Sequence, residues 1–245
     1  MMPDPFSSAF LGQLKEKEKT ASAVPPVTEP PPAPAEPAAP TVETPPSPEP
    51  KEGVQEVKDT QGRVVQRIPF KDGKIEGTFL AYDDYQKVAQ EIPYVQGQKK
   101  GVARFYFQGS KLSEITYDQD KRNGPAIFYG ASEMIQALAT YKEDHLEGEF
   151  QVFTPQKTLL RQCLYVNGLL EGPSKLFYPS GKVLEECIYK DNKIQGQQLQ
   201  YFEDGTLLKR VTYNEEGKPI REETFSQKGE KLTDKEIDPT PQKVL

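Results

Sequence analysis

The sequence predicts an all-β fold: an elongated, meandering array of about seven antiparallel β-hairpins behind a disordered, proline-rich N-terminal arm. Three observations carry this expectation. Aromatic residues recur at a fixed period along most of the 245-residue chain, and glycines recur between them at the same period. Proline, by contrast, is concentrated at the other end. Residues 1–55 hold 14 of the 23 prolines but only two of the 18 glycines and two aromatics, Phe6 and Phe10.

The aromatic period sets the strands. One set runs Phe70, Tyr94, Tyr117, Tyr141, Tyr165, Tyr189 and Tyr213, in steps of 24, 23, 24, 24, 24 and 24. A second set, Tyr82, Tyr106, Tyr129, Phe153, Phe177, Tyr201 and Phe225, keeps the same steps. Self-similarity at such a period is the mark of a repeat architecture. The single step of 23 places a one-residue deletion in the turn between Tyr106 and Tyr117. Two positions before the first ring stand Ile68, Ile92, Ile115, Ala139, Cys163, Cys187 and Val211, which gives each strand one apolar face. In KVLEECIY, alternation points Val183, Cys187 and Tyr189 one way and Leu184 and Ile188 the other.

Two kinds of turn separate the strands. Three residues after the first ring come Gly73, Gly97, Asp120, Asp144, Gly168 and Asn192, the residue types that tolerate a left-handed backbone. Four residues further on only glycine occurs, at Gly77, Gly101, Gly124, Gly148, Gly172 and Gly196. Exclusion of Asn and Asp there points to a bulge or a close backbone approach. The seventh copy has Ile220 in that place and reads as a degenerate terminal repeat. The other turn closes on Gly62, Gly109, Gly181, Gly205 or Gly229 after short polar runs, the pattern of a type I turn with a glycine bulge. Residues 131–140, ASEMIQALAT, have helical propensity, yet the ring register on either side is kept and predicts strand.

Ahead of the array, residues 21–55 are a Pro/Ala/Glu linker that buries too little apolar surface to fold. Residues 1–20 contain Phe6, Phe10, Leu11 and Leu14 on one face of a short potential helix, which suits a docking peptide on a tether. The repeat domain is expected over residues 56–238, with a flexible tail at 239–245.

Composition excludes several classes. The longest apolar runs are four residues, so no segment can span a bilayer as a helix. The first residues lack a basic start followed by an apolar core, so no Sec signal peptide is expected. Net charge is −6, more than half of it in the arm, and a near-neutral body lacks the basic excess that nucleic-acid binding needs. No catalytic, cofactor-binding or metal-binding motif is present, so no enzyme is expected and no cofactor. His145 falls at a turn position filled elsewhere by Lys74, Gln98, Lys121, Leu169 and Lys193, and has no second ligand in its repeat. Cys163 and Cys187 share one slot in adjacent repeats with a strand between them, ~9.6 Å apart, beyond disulfide reach. They are expected to be free buried thiols, which favours a reducing, cytoplasmic setting. The acid pairs Asp83–Asp84, Glu185–Glu186, Glu215–Glu216 and Glu222–Glu223 point to opposite strand faces and cannot act together on one bond. The rings are expected to form the core, with part of one face left open to an extended peptide or a second copy of the sheet.

The pattern aromatic-x2-Gly-x3-Gly-x4-aromatic, seen in YVNGLLEGPSKLF and YKDNKIQGQQLQY, is similar to the MORN repeat. It resembles more closely the MORN-variant repeats of bacterial proteins labelled antitoxin-like. The resemblance covers residues ~58–237 and turns on Tyr94, Tyr117, Tyr141, Tyr165, Tyr189, Tyr213 and the six repeat glycines. It implies a non-catalytic role in scaffolding, partner binding or membrane-associated organisation. The expectation is a scaffold that binds a protein partner. A membrane-surface adaptor, self-association, and a secreted effector exported by its N-terminal arm are the other readings.

Overall fold

A computed structural model describes residues 51–239. The segment bearing Phe6, Phe10, Leu11 and Leu14, most of the proline-rich linker and the last residues lie outside the described residues.

The chain forms β1 (Gly53–Lys58), β2 (Val64–Lys71), β3 (Lys74–Ile75), β4 (Gly77–Tyr82) and β5 (Val88–Val95). There follow β6 (Gln98–Lys99), β7 (Gly101–Phe107), β8 (Ser110–Asp118), β9 (Lys121–Tyr129) and β10 (Ile135–Lys142). Next come β11 (His145–Leu146), β12 (Gly148–Phe153), β13 (Leu159–Val166), β14 (Leu169–Phe177) and β15 (Val183–Lys190). The array closes with β16 (Lys193–Tyr201), β17 (Leu207–Tyr213), β18 (Pro219–Phe225) and β19 (Lys231–Glu236). The two-residue pieces β3, β6 and β11 continue into β4, β7 and β12, so among the described residues nineteen strands less these three make sixteen hairpin arms. Each arm pairs antiparallel with the next in sequence, and the open edges are β1 and β19. Fourteen of the arms are the seven expected hairpins. The other two are β1, which opens at Gly53 inside the stretch expected to be linker, and β19.

The period outweighs local propensity at residues 131–140. The strand begins at Ile135, and Ala131–Glu133 form a short 3-10 turn before it.

The turn after each of the first six first rings is a two-residue loop with both residues left-handed, as in Gln96 and Gly97 (φ 53 and 85) or Glu143 and Asp144 (φ 49 and 69). This is the type I′ geometry, whose twist matches that of the flanking strands. The repeat glycines follow at a bulge. Between Cys163↔Ser174 and Tyr165↔Leu170, β14 carries three residues against one on β13. All six repeat glycines have positive φ, and at Gly101 and Gly124 a Cβ would also stand 3.2 and 3.1 Å from Pro93 and Thr116. Both expected causes therefore act, the bulge throughout and close approach at Gly101 and Gly124, and positive φ, not expected to suffice alone, is common to all six.

The second turn is a type I turn with a left-handed fourth residue. Gly181 N–H donates to Tyr178 C=O and Tyr178 N–H to Lys182 C=O, and Gly62, Gly205 and Gly229 repeat the pattern. Gly109 departs from it. Phe107 pairs directly with Ser110, and Gln108–Gly109 are both left-handed, so the one-residue deletion converts this turn to type I′. In the last hairpin the change runs the other way: Gly217 closes a type I turn over Asn214–Lys218, which is why no glycine is needed at Ile220.

These turns decide the faces. On one face lie the first rings with the residues two and four before them. Ile92, Ile115, Tyr117, Ala139, Tyr141, Cys163, Tyr165, Cys187 and Tyr189 are buried there, interleaved with Phe79, Phe105, Phe128 and Phe150 from the partner arms. Phe79–Tyr94 and Phe150–Tyr165 meet edge to face at 6.4 and 6.0 Å. Three cations reach the next first ring from the start of an arm: Lys99 and Arg122, each the second residue after a type I′ turn, lie over Tyr117 and Tyr141, and Lys51 lies over Phe70. At these three rings a residue of the preceding arm covers its neighbour, the nearest-neighbour coupling expected of such arrays. Val183 does not join this face. A bulge at Leu184 pairs Val183 with Phe177 and so turns it to the opposite face from Cys187.

Candidate functional site

The second rings occupy the other face, and none of the seven is buried. Five of them are tied to the residue fifteen positions earlier in the preceding arm. Tyr106 Oη donates to Glu91 at 3.1 Å, Tyr129 Oη to Glu114 at 3.0 Å, and Tyr201 Oη to Glu186 at 2.8 Å. In the same slot Arg67 lies over Tyr82 and Arg210 over Phe225. Where the slot holds Leu138 or Gln162, the ring is phenylalanine. A phenol thus appears with a carboxylate three times out of four, a pairing legible in the sequence through its fixed spacing and not used there.

These carboxylates are tuned by their partners. The hydrogen bond from Tyr201, then Lys175, holds Glu186 below the usual carboxylate range, while burial opposes them. Burial and the bond to Glu186 push Tyr201 up to about 12. Lys111 holds Glu114 low, again against burial. Ion pairs link Arg104 to Glu114 and Lys175 to Glu186, giving a middle row of paired charge between the rings and the type I′ turns. The face therefore presents half-exposed rings, satisfied charges and, toward the turns, exposed aliphatic side chains.

The residues singled out in the sequence divide between core and scaffold. Tyr117, Tyr141, Tyr165 and Tyr189 are buried, whereas Tyr94 and Tyr213, nearer the ends, are half-exposed. Gly77, Gly101, Gly124, Gly148, Gly172 and Gly196 form the bulges. Cys163 and Cys187 are free and buried, with Ser174 between them on β14. Burial pushes the Cys187 thiol up to about 12 and raises Cys163 as well. His145 is exposed at a turn, its Nδ1 2.9 Å from Glu143 C=O. Among the described residues no three His, Cys, Asp or Glu side chains group as metal ligands. The acid pair Glu185–Glu186 is split by the sheet: Glu185 is buried against Gln200 Nε2 at 2.7 Å, while Glu186 faces Tyr201.

A second device went unread in the sequence. The residue before a repeat glycine is often glutamate, and its carboxylate accepts the N–H that opens the next type I′ turn. Glu52 caps Asp72, Glu76 caps Gln96, Glu147 caps Asn167 and Glu171 caps Asp191, at 2.6–3.0 Å. The turn returns the contact, because Asp120, Asp144 and Asn192 accept from Lys99, Arg122 and Leu170 N–H of the preceding repeat. The signal was Glu52-Gly53 lying 24 residues before Glu76-Gly77, which also places the first arm.

Fold and surface together define a β-hairpin repeat protein with one buried face and one open face. The MORN repeat variant family matches residues 170–191 and 194–215, two adjacent copies of the unit, so this part of the array carries MORN-variant repeats. No curated protein matches it in sequence. Among solved structures it is similar to an S. aureus TarM mutant in complex with fondaparinux, alpha-GlcNAc-glycerol and UDP, at 10% identity and a TM-score of 0.30, over 49% of this chain and 21% of that one. A further TarM structure gives 10% identity and a TM-score of 0.29 over 48% and 20%. The chain spans about a fifth of the length of these proteins.

Proposed function

We propose that the chain is a non-catalytic scaffold that binds a protein partner across the open face of its sheet. The observation that supports this reading is the asymmetry of the two ring sets. Four of the seven first rings are buried in the core, while all seven second rings stay half-exposed along the array, beside a middle row of paired charges. Exposed rings backed by satisfied polar groups suit an interface, because they contribute contact area without stranding a charge. The two open sheet edges are less suited to association: Lys58 and Lys231 stand there where apolar residues stand inside the array.

The test is affinity capture from crosslinked cell lysate with the full chain, wild type against the triple variant Tyr106→Ser, Tyr129→Ser, Tyr201→Ser. The expected result is a defined set of proteins retained by the wild type and lost by the variant, with unchanged circular dichroism. Identical protein profiles for the two chains would rule out the open face as the binding surface.

A further inference from the structure

The open face is not uniform. Near the type I′ turns of the fifth and sixth repeats, Leu164, Val166, Leu169 and Ile188 are all exposed, Ile188 to 58%. They form one patch: Val166 pairs with Leu169 across the turn, and exposed Pro173, opposite Ile188, fills the row between Leu164 and Ile188. The places equivalent to Leu164 and Ile188 hold Pro69, Pro93, Thr116, Thr140 and Thr212, none of them a large exposed aliphatic side chain.

Its borders are basic. The turn pairs on either side present Lys142 with His145 and Lys190 with Lys193, all exposed, and His145 leans on Gly168 within the patch. Among the described residues no carboxylate makes an ion pair with Lys142, Lys190 or Lys193. Most nearby acids are engaged: Glu147 and Glu171 cap turn N–H groups, Glu149 accepts from Gln162, Glu143 pairs with Lys121, Glu186 is held by Lys175 and Tyr201, and Glu216 pairs with Lys218, while Asp191 is exposed in the turn between Lys190 and Lys193. An apolar centre flanked by unpaired cations is complementary to an apolar segment flanked by anions.

We propose that this patch docks a short extended segment of a partner protein, bearing large apolar side chains between two acidic residues about six positions apart. The spacing follows from the array. Adjacent repeats lie two strand spacings apart, so Lys142 and Lys190 are separated by ~19 Å, which six extended residues span at ~3.3 Å each. Glu149 pairs with Leu164 at the edge of the patch and would repel an anionic lipid surface laid across it. The inference rests on the open face being the binding face and adds where on it, and to what chemistry.

The test uses the full chain and a fluorescein-labelled octapeptide with Glu at its second and eighth positions and Leu-Ile between, read by anisotropy. Binding should weaken at least tenfold on Ile188→Asp, on the pair Lys142→Glu and Lys190→Glu, and on replacing both peptide Glu by Gln. It should be unchanged by Val102→Asp, an exposed valine elsewhere on the same face. Equal binding by wild type and Ile188→Asp overturns the proposal. So does absence of peptide binding, and so does sedimentation with phosphatidylserine vesicles that is lost in Ile188→Asp without peptide binding. Partner proteins captured through the ring row equally by wild type and Ile188→Asp would leave the scaffold reading standing and remove this one.

Discussion

Substituting the repeat glycines one at a time separates the two reasons for their presence. Gly196→Ala places a methyl group in open space at φ 73, so its cost is that of a left-handed backbone alone. That penalty is about 1–2 kcal/mol, partly offset by a less flexible unfolded chain, leaving a net of about 1 kcal/mol. Gly124→Ala sits at φ 122, beyond the left-handed well of L-residues, and its methyl group meets Thr116 Cβ and Cγ2 at 3.1 Å. Backbone strain and contact together raise the cost to about 3 kcal/mol. Urea unfolding followed by tryptophan-free far-UV circular dichroism measures both, and Gly124, in mid-array, should also split the transition because stability is shared between neighbours. A double-mutant cycle with Thr116→Gly should recover only the contact part, although it also removes the Thr116 Oγ1 bond to Pro125 C=O. Equal costs at Gly124 and Gly196 within about 0.5 kcal/mol would refute the distinction between strain and close approach.

Three further outcomes follow from the same geometry. Glu171→Ala, which uncaps the Asp191 N–H, should cost about 1 kcal/mol and raise amide exchange at Asp191 more than at Gln96, whose cap is untouched. With Glu186 held low in the folded chain, its contribution is present above the ordinary carboxylate value of 4.5 and disappears as pH falls through the lower folded value. Stability should therefore drop more steeply with acid in the wild type than in Glu186→Gln, and parallel pH profiles would count against the Tyr201–Glu186 bond. Cys163 and Cys187, buried with raised thiol pKa, should resist a thiol reagent at pH 8 until the chain is unfolded, then react as two free thiols. Fast labelling of the native chain would show that this face opens.

Much of the fold was legible because the features that set it are spaced by the fold itself. The first rings, the Asp, Asn and Gly at the second turn position, and the bulge glycines all repeat with the hairpin, so stacking the copies reveals them. What escaped was whatever breaks the simple alternation. Gln96, Gln119 and Glu143 are left-handed without being residues that favour it, so the type I′ turn was only half visible. Val183 was assigned to the wrong face because a bulge adds a residue between it and Cys187. Gly109 closes a type I′ turn although its sequence resembles the other kind, since one deleted residue changes the geometry and not the glycine. On the open face, the phenol–carboxylate pairs and the glutamate caps carried a fixed spacing and could have been found. Which ring set is buried was also written in the pattern, because the residues two before the first rings are all apolar while Arg104, Gln151, Lys175 and Glu223 stand two before second rings.

The central claim, that partner proteins meet the face carrying the second rings, is tested most directly by a photo-crosslinking scan. A benzophenone amino acid placed in turn at Tyr106, Phe177 and Ile188, and at Tyr117 and Tyr165 on the buried face, reports contact at each position in cells. Protein crosslinks at the first three sites and none at the last two is the predicted result. Crosslinks at neither face, or from the buried-face positions alone in folded chains, would contradict it.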